Sequence, residues 1–248
     1  SRRTNPQLDA QLLMARAVGT SRLDVLAHPE RVLADNEATA LEEMIDKRAS
    51  RYPLAYILGE KEFFGLGFIV SPSVLIPRPE TEVLVEQVLR RVDRNAAVAD
   101  VGTGTGAIAV ALAVNLPDAR IWAVDSSEQA LKVARANAEK HGVSERVCTL
   151  QGDLLEPLVE RGLRFDAVVS NPPYIPREVI PTLDPEVRFE PVEALDGGTD
   201  GLDAYRRLFP QAASVTGLAV VEFGAGQGAA VAETARAAGF VNVEIVPD

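Results

Sequence analysis

The sequence is poor in cysteine and histidine, and this limits the chemistry that the chain can carry. Its single cysteine, Cys148, excludes an intramolecular disulfide and a cysteine-rich zinc site. The two histidines, His28 and His141, lie far apart without metal-ligand spacing, so we expect surface or helix-end roles and no metal site. A single cysteine fits a reducing compartment, and the cytoplasm is the expected location.

Long apolar runs and excess positive charge are also missing. No stretch of about 18 uncharged apolar residues occurs, and the first residues, SRRTNPQLDAQL, do not join a charged start to an apolar segment. We therefore expect neither a secretion signal nor a membrane span. The formal net charge of −11 repels polyanions, which argues against non-specific nucleic-acid binding and favours a protein or small-molecule partner.

What is present divides the chain into three segments. With 248 residues and 47% hydrophobic content, it can form a catalytic domain and a smaller one. Apolar residues at helical spacing predict a helical N-terminal domain over residues 1–58. Residues 59–79 are rich in Phe, Gly and Pro, which predicts a hairpin or extended linker. Residues 80–248 are predicted to form the catalytic domain.

Beyond residue 80, short apolar runs alternate with helical patterns, which is typical of an α/β fold with a parallel sheet covered on both faces. The predicted strands are residues 97–101, 121–124, 147–150, 167–170, 218–223 and 241–246. The helix after the second strand is expected to begin at Ser126, with Gln129 in the capping-box position. The same helix is expected to end at His141, with Gly142 as its stop.

A glycine-rich turn follows the first predicted strand and precedes an alanine-rich helix. It consists of Gly102, Thr103, Gly104, Thr105 and Gly106. Glycine allows the backbone to turn sharply and to approach a ligand closely. Because the pattern also satisfies a relaxed dinucleotide fingerprint, the turn alone leaves NAD, FAD, S-adenosyl-L-methionine and a ligand-free turn open.

Acidic residues around this turn favour S-adenosyl-L-methionine. Asp100 would repel a pyrophosphate but attract the ammonium group of a methionine moiety. Asp125 ends the second strand about twenty residues after the turn, where a carboxylate can accept hydrogen bonds from both ribose hydroxyls. Asp153 can meet the adenine amino group while Leu154 covers the ring, but a turn or capping role for Asp153 is equally open. The predicted product is S-adenosyl-L-homocysteine.

The segment Asn171-Pro172-Pro173-Tyr174 follows the fourth predicted strand and should face the same crevice as the glycine turn. The oxygens of the Asn171 side chain and the Pro172 carbonyl can hold both hydrogens of a planar NH2 group, with its lone pair aimed at a methyl carbon. Tyr174 offers an aromatic face for stacking. Asn171, Pro172 and Tyr174 are the predicted catalytic residues, and all four form the predicted substrate site; a rigid turn is the alternative. Glu222 can face this crevice, but we interpret it as an ordinary loop-facing acid.

Further motifs carry a family resemblance across most of the chain. They are residues 53–59 (PLAYILG), 63–65 (FFG), 76–82 (IPRPETE), 190–191 (EP), 194–195 (AL) and 197–198 (GG). Together with the glycine turn and the Asn-Pro-Pro-Tyr segment, they resemble the bacterial-type glutamine N5-methyltransferases of peptide chain release factors. Residues 76–82 are the most specific, because adenine methyltransferases with the same Asn-Pro-Pro-Tyr segment are not expected to carry them.

The resemblance implies a class I S-adenosylmethionine-dependent methyltransferase domain with a Rossmann-like, mostly parallel sheet. It also implies a helical N-terminal domain that helps to dock class I release factors, a connecting hairpin, and a further sheet strand beyond the position of Asp248. We expect the chain to be a monomer. The implied substrate is the glutamine of the Gly-Gly-Gln loop, held by Asn171 and Pro172. The implied cofactor contacts are Gly102, Thr103, Gly104, Thr105, Gly106, Asp125, Asp153, Leu154 and Asn171.

One position departs from the family pattern, and one alternative activity remains open. Leu154 stands where some family members have an aromatic residue, which affects how the adenine is covered. The alternative is an adenine N6-methyltransferase that acts on DNA or RNA with the same acceptor geometry after base flipping. The net charge of −11 and the lack of an evident basic recognition segment argue against it.

Overall fold

The computed structural model describes residues 5–247, and its N-terminal part is helical. The helices of this part are α1 (Pro6–Val18), α2 (Arg22–Ala27), α3 (Asp35–Ala49) and α4 (Leu54–Leu58). Helix α1 starts after Asn5, whose side chain accepts a hydrogen bond from the Leu8 N–H at 3.2 Å. It ends at Gly19 in the left-handed conformation. Among residues 5–247 no helix is both long and apolar enough to cross a membrane.

A two-stranded hairpin connects the helices to the rest of the chain. Strands β1 (Glu60–Phe63) and β2 (Leu66–Ile69) pair antiparallel, which confirms the predicted hairpin. Phe63 and Phe68 are buried and contact each other edge to face, so the hairpin is anchored by its aromatic side chains. The ring of His141 donates to the Gly67 carbonyl (3.0 Å), a helix-end role as expected.

The rest of the chain is built around a five-stranded parallel sheet with the strand order β5-β4-β3-β6-β7, as the alternating pattern predicts. Its strands are β3 (Ala97–Val101), β4 (Arg120–Asp125), β5 (Val147–Gln151), β6 (Ala167–Ser170) and β7 (Ala219–Val221). Its helices are α5 (Glu82–Leu89), α6 (Ala107–Asn115), α7 (Glu128–Lys140), α8 (Glu156–Val159), α9 (Asp203–Val215) and α10 (Gly228–Ala237).

Alternate residues of the sheet strands face two separate apolar clusters. In β4, Ile121 and Ala123 pack on one side of the sheet, and Trp122 and Val124 pack on the other. This alternation follows from the two-residue period of an extended strand. Burial on both faces explains why the strands appear in the sequence as nearly continuous apolar runs.

Two sequence-based predictions are wrong. Residues 241–246 form no strand; in the part of the chain that the structure describes they make no backbone ladder with β7. Residues 242–246 line a cavity of about 530 Å³ beside it. Alternating apolar residues make a strand only where a neighbouring strand pairs with their backbone groups. Ser126 does not cap helix α7, because Ser127 does, accepting a hydrogen bond from the Ala130 N–H at 3.2 Å.

A buried amide ties the hairpin to the glycine turn. Asn137 on α7 is fully buried; its Oδ1 accepts from the Ile69 N–H at 2.7 Å, and its Nδ2 donates to the Ile69 and Thr105 carbonyls at 3.0 and 2.9 Å. One side chain therefore satisfies backbone groups of strand β2 and of the turn after β3.

Replacing Asn137 by alanine is expected to lower the free energy of unfolding by about 2–4 kcal/mol, because it leaves buried backbone groups unpaired. Urea unfolding followed by circular dichroism measures this. The matched control is Asn115→Ala, which removes a single hydrogen bond to the Ala111 carbonyl near a helix end and should cost less than about 1 kcal/mol. Equal midpoints for the two variants would contradict the assigned role of Asn137.

Candidate active site

The glycine turn and the Asn-Pro-Pro-Tyr segment leave neighbouring strands at the same edge of the sheet. Val101, the last residue of β3, is in register with Ser170, the last residue of β6. The Ser170 hydroxyl donates to the Val101 carbonyl at 2.7 Å, which fixes the two strand ends together. Gly102 and Asn171 therefore start from adjacent points, as the sequence predicts for one crevice.

The glycine turn needs glycine at three positions for conformational and steric reasons. Gly102, Gly104 and Gly106 have φ angles of 70°, 54° and 77°, a region that side chains with a Cβ rarely adopt. A Cβ on Gly106 would lie 3.1 Å from the Cα of Ala134 on α7, so the turn is also packed closely. The Gly102 N–H donates to the Val124 carbonyl at 2.8 Å, which holds the turn against β4.

The Asp125 carboxylate, at the end of β4, shapes this turn. Its Oδ2 accepts from the Gly104 N–H and its Oδ1 from the Ser127 N–H, each at 2.9 Å. Burial raises the pKa of Asp125, and these hydrogen bonds oppose that rise. Each carboxylate oxygen has two lone pairs, so both oxygens keep capacity to accept from hydroxyl groups of a ligand.

Asp100 is a fully buried acid with one oxygen unpaired. Its Oδ2 accepts from the Thr103 hydroxyl at 2.6 Å and from the Ala109 N–H at 3.2 Å. Its Oδ1 has no hydrogen-bond partner among residues 5–247. Burial raises the pKa of Asp100 to about 7. An unpaired buried oxygen is costly, and a cationic group at the glycine turn would satisfy it.

Asp100 is therefore expected to make the stability of the cofactor-free protein depend on pH. Its folded pKa lies above its ordinary value of 3.8, so its contribution is complete below pH 3.8 and is lost as pH rises towards about 7. Urea midpoints between about pH 5 and 8 should fall more for the wild type than for Asp100→Asn, which keeps the shape but cannot ionise. Parallel pH profiles for the two proteins would contradict this role.

The turn after β5 carries Asp153 and Leu154, the predicted adenine contacts. The Gly152 N–H donates to the Asp125 carbonyl at 3.0 Å, so this turn lies beside the glycine turn. The Asp153 carboxylate pairs with Arg207 on α9. Leu154 has a φ of 52°, an uncommon conformation for a leucine, and packs partly against the core. Adenine contacts by Asp153 and Leu154 stay a prediction.

Asn171 is held by a chain of hydrogen bonds that leaves its oxygen available. Its Nδ2 donates to the Thr81 hydroxyl at 3.0 Å, and that hydroxyl donates to Glu222 Oε2 at 2.6 Å. The Tyr174 hydroxyl lies 3.4 Å from Glu222 Oε1. Within the described residues, Asn171 Oδ1 and the Pro172 carbonyl accept no hydrogen bond. Two acceptors on consecutive residues are thus available, which suits an NH2 group with its two hydrogens.

Thr81 and Glu222 are site residues that the sequence did not identify. The sequence favours an ordinary loop-facing acid at Glu222, but this residue follows β7 and accepts from the Thr81 hydroxyl and from the Tyr174 hydroxyl of the Asn-Pro-Pro-Tyr segment. Burial raises the pKa of Glu222, and the hydrogen bond from Thr81 opposes that rise. The available signal was the position of the acid, since a polar side chain at the carboxyl end of a parallel strand faces the ligand crevice.

The backbone of the Asn-Pro-Pro-Tyr segment is packed closely against Gly197. A Cβ on Gly197 would lie 2.8 Å from the Tyr174 Cα and 2.9 Å from the Pro173 carbonyl oxygen. The Gln227 side chain donates to the Tyr174 carbonyl at 2.9 Å. Close packing and the two prolines together make the segment rigid.

Residues 76–82, which carry Thr81, are held by a buried acid. Glu190 is 4% exposed; one carboxylate oxygen accepts from the Ile76 N–H at 3.0 Å, and the other pairs with Arg78. Burial raises the pKa of Glu190, and the Arg78 guanidinium opposes that rise. The Glu82 carboxylate accepts from the Phe64 N–H at 2.9 Å and so joins this segment to the hairpin.

Solved structures share this architecture. The hMettl16 catalytic domain, crystallised with the MAT2A 3′UTR hairpin 6, aligns over 71% of this chain and 68% of its own, with a TM-score of 0.55 and 18% identity. A SAM-dependent methyltransferase from Agrobacterium tumefaciens aligns over 72% and 57%, with a TM-score of 0.51 and 17% identity. At these identities the likeness shows a common fold.

Sequence comparisons are closer and cover nearly the whole chain. Residues 1–59 match the PrmC N-terminal domain, and residues 79–181 match the methyltransferase small domain. The release factor glutamine methyltransferase of Moorella thermoacetica is 50% identical over 98% of this chain and 87% of its own length. That of Geobacter sulfurreducens is 46% identical over 95% and 83%. Identity at this level, over the helical segment and the sheet alike, means that the chain belongs to the release factor glutamine methyltransferase family.

Proposed function

We propose that the chain methylates the side-chain amide nitrogen of the glutamine in the Gly-Gly-Gln motif of class I release factors. Membership of the family makes it an S-adenosylmethionine-dependent methyltransferase. The observation that carries the proposal is the pair of available acceptors, Asn171 Oδ1 and the Pro172 carbonyl, beside the glycine turn. A primary amide offers two N–H groups to such a pair.

The glycine turn and its acids fit the cofactor. The Asp100 oxygen without a partner suits the methionine ammonium, and Asp125 has remaining capacity for ribose hydroxyls. We assign the backbone contacts to residues 102–106, with Asp153 and Leu154 at the adenine. When bound, S-adenosylmethionine supplies an activated methyl group on a sulfonium.

The chain's own residues prepare the amide nitrogen for attack. An amide nitrogen is a poor nucleophile because its lone pair is delocalised into the carbonyl. Asn171 Oδ1 and the Pro172 carbonyl, acting as acceptors, keep electron density on the nitrogen and fix its direction, which lowers the entropic part of the barrier. Pro172 is buried, so these acceptors act where water is largely excluded. Tyr174 packs beside the amide plane.

The helical segment is proposed to dock the release factor. It is tied to the loop after the Asn-Pro-Pro-Tyr segment, since Arg48 donates to Glu186 at 3.0 Å and the ring of Tyr52 contacts Phe189 with centroids 5.1 Å apart. A partner bound there would lie near the catalytic acceptors. The charge of −11 favours encounter with a basic protein surface.

The proposed division of labour assigns docking to residues 1–58, connection to residues 59–79 and methyl transfer to residues 80–248. Action as a monomer, in the cytoplasm and without nucleic acid belongs to the same proposal. Light scattering of the protein alone and with release factor tests the monomer, which is expected to give a one-to-one complex.

Mass spectrometry of a release factor after reaction tests the activity. Incubation with S-adenosylmethionine should add one methyl group, located on the Gly-Gly-Gln glutamine by peptide fragmentation. The matched control is a release factor with that glutamine replaced by alanine, which should stay unmodified. Methylation of an adenine-containing oligonucleotide, with the release factor left unmodified, would overturn the proposal.

A further inference from the structure

The orientation of the Asn171 amide is set by groups outside the Asn-Pro-Pro-Tyr segment. Glu222 as a carboxylate can only accept hydrogen bonds. The Thr81 hydroxyl has one hydrogen, and it donates this hydrogen to Glu222 Oε2 at 2.6 Å. It can therefore only accept from Asn171, so the group facing it at 3.0 Å must be the NH2.

This direction matters because an asparagine amide can turn over at little steric cost. If the amide of Asn171 were reversed, its NH2 would face the incoming glutamine NH2, and two donors would oppose each other. With the observed direction, Oδ1 lies on the amide end away from Thr81, accepts no hydrogen bond within residues 5–247 and can accept one from a substrate. An acceptor-only group at the far end of the chain thus excludes the unproductive orientation.

We propose that Thr81 and Glu222 are positioning residues that fix the Asn171 amide in its acceptor orientation, an inference that rests on the proposed glutamine methylation. Both lie outside the Asn-Pro-Pro-Tyr segment, Thr81 before α5 and Glu222 after β7. We call the hydrogen-bonded series Glu222–Thr81–Asn171 the relay. Thr81 is buried, and the Glu222 N–H donates to the Ser170 carbonyl at 3.1 Å, so both residues behind Asn171 are held in place. The relay acts on the rate of transfer rather than on binding.

The first test compares Thr81→Val with Thr81→Ser. Valine keeps the shape but removes the hydroxyl, so kcat should fall about 10- to 100-fold, while KM for release factor and the cofactor Kd change little. Serine keeps the hydroxyl and should restore kcat to near the wild-type value. Thr234→Val is the matched control, since its hydroxyl bonds only within α10.

If the wild type methylates the glutamine and Thr81→Val does so with the same kcat, the positioning role of Thr81 and Glu222 is overturned and the proposed function stands. Failure of the wild type to methylate the glutamine would instead sink the proposed function. A fall in Thr81→Val that Thr81→Ser does not restore would also count against the relay, because packing alone would then explain it.

The second test uses pH at saturating cofactor. A protonated Glu222 can donate to Thr81, which frees the chain of hydrogen bonds to reverse, so kcat should rise with pH through the raised pKa of this acid. Glu80, Tyr174 and Tyr205 are the titratable groups that interact with Glu222 within the described residues, and Arg78 interacts with Tyr174 beside them. Glu222→Gln removes the ionisation and should give a lower kcat without this rise. If kcat rises with pH in the same way in both proteins, a group other than Glu222 causes the pH dependence, and the relay is contradicted.

Discussion

Asn171→Ala is expected to lower kcat for release factor methylation by about 100- to 1,000-fold, the usual effect of removing one preorganised polar group from a reacting centre. The variant loses Oδ1, one of the two proposed acceptors for the glutamine NH2, and keeps the other, the Pro172 carbonyl. Methyl transfer measured at saturating cofactor and release factor gives the value.

The variant should keep its fold, because Asn171 is only half-buried and the hydrogen bond between Thr81 and Glu222 remains when the amide is removed. Its melting temperature should stay near that of the wild type, and its cofactor affinity should fall much less than its kcat. Asn115→Ala, an asparagine at the end of α6, serves as the control and should transfer methyl normally. An Asn171→Ala protein that binds cofactor and methylates at the wild-type rate would refute the assigned role.

Asp125→Asn is expected to weaken cofactor binding by about 100-fold, which corresponds to 2–3 kcal/mol. Both carboxylate oxygens accept from backbone N–H groups, of Gly104 and Ser127. An amide has one oxygen, so its NH2 must face one of these donors. The substitution therefore removes a hydrogen bond, distorts the turn and reduces the capacity for ribose hydroxyls.

Isothermal titration with S-adenosylmethionine and S-adenosylhomocysteine measures this loss, and both ligands should be affected alike because both carry the ribose. Asp118→Asn is the charge control, since that acid is exposed and, within residues 5–247, its ion pair is with Arg94. It should bind the cofactor as the wild type does. Wild-type affinity in Asp125→Asn would show that the ribose is held elsewhere.

Much of the fold could be predicted because parallel strands that are buried on both faces are short apolar runs in the sequence. Such runs between helical segments predict the parallel sheet, and the glycines of residues 102–106 predict the turn at its edge. The final segment, residues 241–246, instead alternates apolar and polar residues, and it forms no strand beside β7. Val241 and Ile245 are 86% and 52% exposed, so the local pattern predicted neither burial nor a strand correctly here; strand formation also depends on a partner for the backbone.

The relay behind Asn171 could not be predicted for a different reason. Thr81 and Glu222 are 141 positions apart, and each is an ordinary residue in its local context. Only the order of the strands brings them together, and that order is a property of the whole chain. The acceptors at Asn171 and Pro172 were predictable because they adjoin in sequence and follow one strand.

The buried amide of Asn137 has a mechanical consequence. Its hydrogen bonds to Ile69 in the hairpin and to Thr105 in the glycine turn are short and point in different directions, so neither backbone can shift by an ångström without stretching one of them. A displacement of the hairpin is thereby transmitted to the glycine turn through the Asn137 side chain.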